Sequence, residues 1–214
     1  MKKNLGMFFG LPCCGAVAVL MGLCAFTPVS RADVAVNNEG YSSGGGLNGA
    51  NELAQEFTMS GTGGSLSSLT LDLLITGGSG TAAVSVFNVN GSGVPTTLLA
   101  IVGTINVASS GDNAVSLISY PLLTGSASYA IVLQPSAAAT AWEYTATAGS
   151  GGSGSLGGAY FYSGAWYQFG GNYLQMSLST TPVPEVPMTG LVMGFGALAI
   201  ALGRKLRLAV SNIA

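Results

Sequence analysis

The strongest constraint on the fold is a two-residue period. Leu69, Leu71, Leu73 and Ile75 alternate with Ser68, Thr70 and Asp72, and Leu174, Met176 and Leu178 alternate with Tyr173, Gln175 and Ser177. Successive side chains of a strand point to opposite faces, so this alternation describes strands with one face on a core and one toward water. Further runs with β-character lie at 53–58, 82–89, 97–107, 114–119, 128–134, 140–146 and 158–168. Thr76-Gly77-Gly78-Ser79-Gly80, Asn90-Gly91-Ser92-Gly93 and Ser110-Gly111-Asp112-Asn113 separate them with turn chemistry. No amphipathic helix intervenes, and no fixed internal period marks a solenoid. The pattern predicts an all-β chain, an antiparallel sandwich or jelly roll of about nine strands over residues 33–180.

Charge placement narrows what such a domain can do. The 214 residues include 6 Lys and Arg, 8 Asp and Glu, and no His. The basic residues sit at the ends: Lys2, Lys3 and Arg31, then Arg204, Lys205 and Arg207. Between Asp33 and Thr181 stand Asp33, Glu39, Glu52, Glu56, Asp72, Asp112 and Glu143, without any base. Nucleic-acid partners are excluded, since they require clustered Lys and Arg. The three cysteines, Cys13, Cys14 and Cys24, all precede this body. It therefore lacks the usual general bases and activated nucleophiles, and no catalytic role and no cofactor are expected. Glu52 and Glu56 share a strand face but have no cationic support for glycoside hydrolysis. Gly152-Ser153-Gly154-Ser155-Leu156-Gly157 fits a nucleotide-loop pattern, yet no helix follows it. Asp72, Asp112 and Asn113 are scattered oxygen donors below the carboxylate density of a dedicated calcium loop, and no metal ligands are assigned from them.

Both ends read as addresses. Lys2 and Lys3 precede an apolar run over 5–26, and Ser30-Arg31-Ala32 offers a small-x-small cleavage site before Asp33. A signal peptide is expected over 1–32, cut between Ala32 and Asp33, with an uncleaved anchor as the alternative. Residues 181–187 form a proline-rich spacer, 188–203 an uncharged run, and 204–214 a tail opening on Arg204, Lys205 and Arg207. As a helix the run spans about 24 Å, short of the roughly 30 Å hydrocarbon core; snorkelling and local thinning close that gap. The basic cluster is expected to stay cytoplasmic, leaving the body outside.

The order Val183-Pro184-Glu185-Val186-Pro187, apolar run and basic cluster resembles the PEP-CTERM sorting signal of exported bacterial proteins. Val186 stands where that family has proline. The resemblance implies an inner-membrane-anchored intermediate, processed by an exosortase and delivered to the cell surface or extracellular matrix. Its partners would be the export machinery, signal peptidase, an exosortase-like enzyme and exopolysaccharide, as in a biofilm. Val186-Pro187-Met188-Thr189-Gly190 also looks like a sortase motif, which implies cutting after Thr189 and wall attachment. Within the body, Leu53-Ala54-Gln55-Glu56-Phe57-Thr58, Val94-Pro95, Leu98-Leu99-Ala100, Leu123-Thr124-Gly125 and Tyr129-Ala130-Ile131-Val132-Leu133, with Trp142 and Trp166, resemble the choice-of-anchor domains. These are exported β-sandwich modules without assigned catalysis.

The best candidate contact surface is aromatic. Trp142, Tyr144, Tyr160, Phe161, Tyr162, Trp166, Tyr167, Phe169 and Tyr173 crowd one stretch. Most of these rings suit core packing. Tyr160, Tyr162, Trp166 and Tyr167 are the candidate glycan contacts, since exposed coplanar rings stack on sugars. A carbohydrate-binding module needs that coplanar row, and a structural or adhesive module does not. Self-association through strand edges is also expected, because the body has no lysine to block them.

Overall fold

A computed structural model describes residues 32–40, 45–48, 51–61, 63–107, 109–134, 139–149 and 151–183. The expected signal segment through Arg31, the sorting motif from Pro184 onward, the 188–203 helix and the basic tail lie outside the described residues. Among the described residues no helix is long and apolar enough to cross a membrane.

The first strands are β1 (Asp33–Asn37), β2 (Gly45–Asn48), β3 (Leu53–Thr58), β4 (Gly63–Gly77) and β5 (Gly80–Val89). Then come β6 (Pro95–Val107), β7 (Gly111–Ala114), β8 (Ser116–Leu117), β9 (Leu122–Thr124) and β10 (Ser128–Gln134). The last are β11 (Ala139–Thr145), β12 (Ser155–Tyr162), β13 (Trp166–Gln168), β14 (Tyr173–Leu174) and β15 (Met176–Thr181). They form two antiparallel sheets. One runs β1-β15-β4-β11-β14, with β2 on β11 and both β7 and β9 on β4; the other runs β13-β12-β3-β10-β5-β6-β8.

The described residues are all-β, as their period requires, and form more strands than the expected nine. Two expected runs, 53–58 and 128–134, coincide with β3 and β10. The run 114–119 divides into the end of β7 and β8, which belong to different sheets, and 158–168 is the β12–β13 hairpin. The strand through Leu174, Met176 and Leu178 breaks at Gln175. Local alternation persists through such points; only the identity of the neighbour changes.

The two sheets enclose one core. Leu69, Leu71, Leu73, Met176 and Leu178 come from the first sheet, and Leu53, Phe57, Val84, Val86, Ile131 and Leu133 from the second. Burying each large aliphatic side chain contributes roughly 1.5–3 kcal/mol. Trp142 is wholly buried among them. A smaller cluster of Ala54, Ala130, Val132 and Tyr160 lies outside this core, with Phe87, Val89, Val94 and Trp166 packed against it.

Candidate functional site

The expected glycan contacts Tyr160, Tyr162, Trp166 and Tyr167 all fall on one aromatic hairpin. β12 and β13 pair Tyr160 with Gln168, Phe161 with Tyr167, and Tyr162 with Trp166. Directly opposed residues share a face, so Tyr162 and Trp166 project to one side and Phe161 and Tyr167 to the other. Tyr162 (39% exposed) meets Trp166 edge-on, at 63° between rings. Tyr167 (51% exposed) stacks on Phe161 at 5.4 Å. Tyr160 is only 3% exposed, which takes it out of any solvent-facing row. The turn after β5 covers it: the Asn90 side chain accepts from the Ser92 and Val94 amides, and Tyr160 Oη donates to the Ser92 carbonyl at 2.8 Å. Gly93 is required there, since its φ is +79° and a Cβ would run into the Glu56 carboxylate and the Tyr160 hydroxyl. The four expected rings thus lie on two faces and at two depths, and do not make one planar platform.

A different constellation stands on the outer face of the first sheet. On one edge, β4 pairs with β15 up to Leu71–Met176 and with β11 from Leu73–Trp142 onward. Gln175 is the wedge where the partner changes. The Asp72 amide donates to the Gln175 carbonyl at 3.1 Å, and the Gln175 amide donates to the Glu143 carbonyl at 2.8 Å. Trp142 Nε1–H also donates to the Gln175 carbonyl, at 2.7 Å. Asn38 closes the other side: its Oδ1 accepts from the Met176 amide, its Nδ2 donates to the Leu174 carbonyl, and its own amide donates to the Met176 carbonyl. The Leu174 amide donates to Gln55 Oε1 across the core. Every backbone donor and acceptor from Leu174 to Met176 is therefore satisfied, as a buried segment demands.

Phase decides which side chains meet there. Leu71, Leu73, Trp142, Leu174 and Met176 point into the core, so Asp72 and Glu143 point outward, while Gln175 lies in the break between β14 and β15. β1 ends on the pair Asn37–Ser177, and Glu39 follows in a turn where its amide donates to Asn37 Oδ1 at 2.9 Å. Across the other edge of β4, Asp112 pairs directly with Asp72. Four carboxylates from four separate segments thus share one electrostatic neighbourhood. Gln175 is fully buried, and neither its Oε1 nor its Nε2 has a hydrogen-bond partner; Glu39 Oε1 is likewise buried without one.

The electrostatics follow from this crowding. Burial pushes the Glu39 carboxyl from 4.5 up to about 7, helped by the charges of Asp112 and Asp72. Burial, Glu143 and Asp112 raise Asp72 from 3.8 to about 6. Both groups bind protons more tightly folded than unfolded, so the stability they lend is complete below their ordinary values and is lost as pH rises through the folded ones. The melting temperature is expected to fall between pH 4.5 and about 7, and Glu39→Gln should flatten that decline. A melting temperature that climbs over the same interval contradicts the crowding.

In the sequence Asp72 and Asp112 read only as scattered oxygen donors, and nothing links them to Glu39, Glu143 or Gln175. Gln175 occupies the polar phase of its strand, which locally signals solvent. Yet its side chain is fully buried, at the point where β4 exchanges one partner strand for another. The chain matches no protein-family model, and no curated protein is detectably similar to it.

Proposed function

We propose that this chain is a non-enzymatic exported protein of the cell surface or extracellular matrix, with its β domain serving a structural or adhesive role linked to exopolysaccharide. The observation that carries the reading is the charge map. A body from Asp33 to Thr181 holds carboxylates and no base, between ends whose basic residues flank apolar runs. Basic residues beside apolar runs direct export and membrane orientation, and a body without Lys, Arg, His or Cys has little means of acid–base or nucleophilic chemistry. The Val183-Pro184-Glu185 motif supports sorting by an exosortase-like enzyme from a transient membrane anchor. Two aromatic pairs on opposite faces of a hairpin favour matrix contact over a dedicated sugar platform.

Mass spectrometry of the mature protein tests this reading. The expected product begins at Asp33 and has lost the 188–203 run and the basic tail. A chain ending at Thr189 and joined to wall peptide assigns it to sortase instead. Cytoplasmic protein with both ends intact overturns the export reading.

A further inference from the structure

At one end of the seven-stranded sheet, β6 is covered on one edge only in part. It pairs with β5 along its whole length, but on its other edge β8 meets it only at Gly103 and Thr104. The Ile118 amide extends that contact by one bond, to the Val102 carbonyl at 2.8 Å. Among the described residues no strand covers that edge from Thr96 to Ile101. The same stretch is apolar where it meets water. Its register against β5 shifts three times, and at one shift Leu99 is the extra residue between Leu98, opposite Phe87, and Ala100, opposite Val86. Val84 and Val86 belong to the core, so Ser85 and Phe87 face outward, and so do their partners Ile101 and Leu98. Plain alternation would set Leu98 and Ile101 on opposite faces; the bulge brings both outside. Leu98, Leu99 and Ile101 are all exposed, Ile101 at 53%, and Ile118 beside Val102 is 72% exposed.

We propose that this edge is a homotypic interface, where β6 of one chain pairs antiparallel with β6 of a second copy. Charge selects the occupant. The body holds carboxylates and no base, so two copies repel unless they meet where neither carries a charge. No charged residue stands from Leu73 to Gly111 or from Asn113 to Trp142, which leaves β5, β6 and β8 neutral. In the first sheet, by contrast, β1 carries Asp33 and β7 carries Asp112. A charged partner finds nothing to pair with on the β6 flank, and its leucines and isoleucines lack the ring faces that stack on sugars. A second copy brings an equally open edge and an equally neutral, apolar flank. Lysine, a usual blocker of such edges, is absent; the bulges remain, and they twist the strand so that only a short length can pair. Antiparallel pairing of β6 with itself is two-fold symmetric and uses the same edge of both copies, so it closes at a dimer and does not grow into a fibre. This inference goes beyond the export reading and does not depend on it.

The test is sedimentation of the full chain in a mild detergent, with disulfide trapping in lipid vesicles as a second measurement. The parent should be dimeric at roughly 100 μM. Leu98→Glu combined with Ile101→Glu sets like charges against each other across the two-fold axis and should weaken the dimer about a hundredfold or more. Both positions are exposed, so this variant should melt as the parent does, and high salt should restore part of its association. Tyr167→Glu, exposed on β13 at the far end of the same sheet, should leave the dimer intact. In a background of Cys13→Ser, Cys14→Ser and Cys24→Ser, Leu99→Cys should give a disulfide-linked pair under mild oxidation, and Tyr167→Cys should not. A parent that stays monomeric, with no pair trapped through Leu99→Cys, overturns the proposal. So does a double variant that dimerises undiminished, which would place the association elsewhere in the chain.

Discussion

Trp142→Ala is expected to destabilise the protein by about 3–5 kcal/mol, the usual cost of truncating a large buried aromatic. Such a loss is a large share of the roughly 5–15 kcal/mol that holds a domain together. Two effects combine. The ring is wholly buried in the shared core, so alanine leaves a cavity that both sheets would have to close. The indole N–H also donates to the Gln175 carbonyl where the sheet forks, so its loss slackens the wedge between β4 and β11. Trp142→Phe separates these effects: it keeps most of the packing and drops the bond, for an expected cost of about 1–2 kcal/mol. Chemical denaturation of the full chain measures both variants. An alanine variant within 1 kcal/mol of the parent would mean that Trp142 does not support the core as described.

How much of this was legible beforehand varies from residue to residue. Leu69, Leu71 and Leu73 announce β4 by alternation alone, because a two-residue period and a half-buried strand are the same fact in two forms. The partners of a strand have no such local signature. The Asn38 side chain reaches Leu174 across 136 positions of sequence, and nothing near either residue marks the contact. Glu39 reads only as a charge in a base-free body, since its approach to Asp112 and Asp72 depends on how distant segments pack together. The aromatic hairpin shows the same boundary. Tyr160 and Tyr162 share a phase and read alike, yet the turn at 90–94 seals one and leaves the other exposed. Period fixes the face of a residue; its neighbours come from pairing.

Gln55→Leu should cost about 2–4 kcal/mol, although leucine fills nearly the same space and is the more hydrophobic residue. Gln55 is fully buried on the inner face of β3. Its Oε1 accepts from the Leu174 amide at 2.6 Å, and its Nε2 donates to the Glu56 and Gly157 carbonyls at 2.8 and 3.0 Å. One side chain thus satisfies backbone groups in both sheets and holds the fork segment against the second sheet. Leucine leaves these groups without that partner in the interior, where each unmet group costs about 1–3 kcal/mol. The added apolar contact recovers only part of this, roughly 0.8 kcal/mol per methylene. If the core were held by apolar packing alone, the leucine variant would match or exceed the parent in denaturation midpoint, and that outcome would refute the bridge. Gln55→Glu sharpens the test. A protonated glutamic acid keeps one acceptor and one donor, whereas the carboxylate repels the carbonyls and is costly to bury. Its stability should therefore approach that of the parent in acid and fall as pH rises through the raised carboxyl pKa. Packing alone predicts no such dependence, so the pH profile of this one variant distinguishes a polar bridge between the sheets from a filled space.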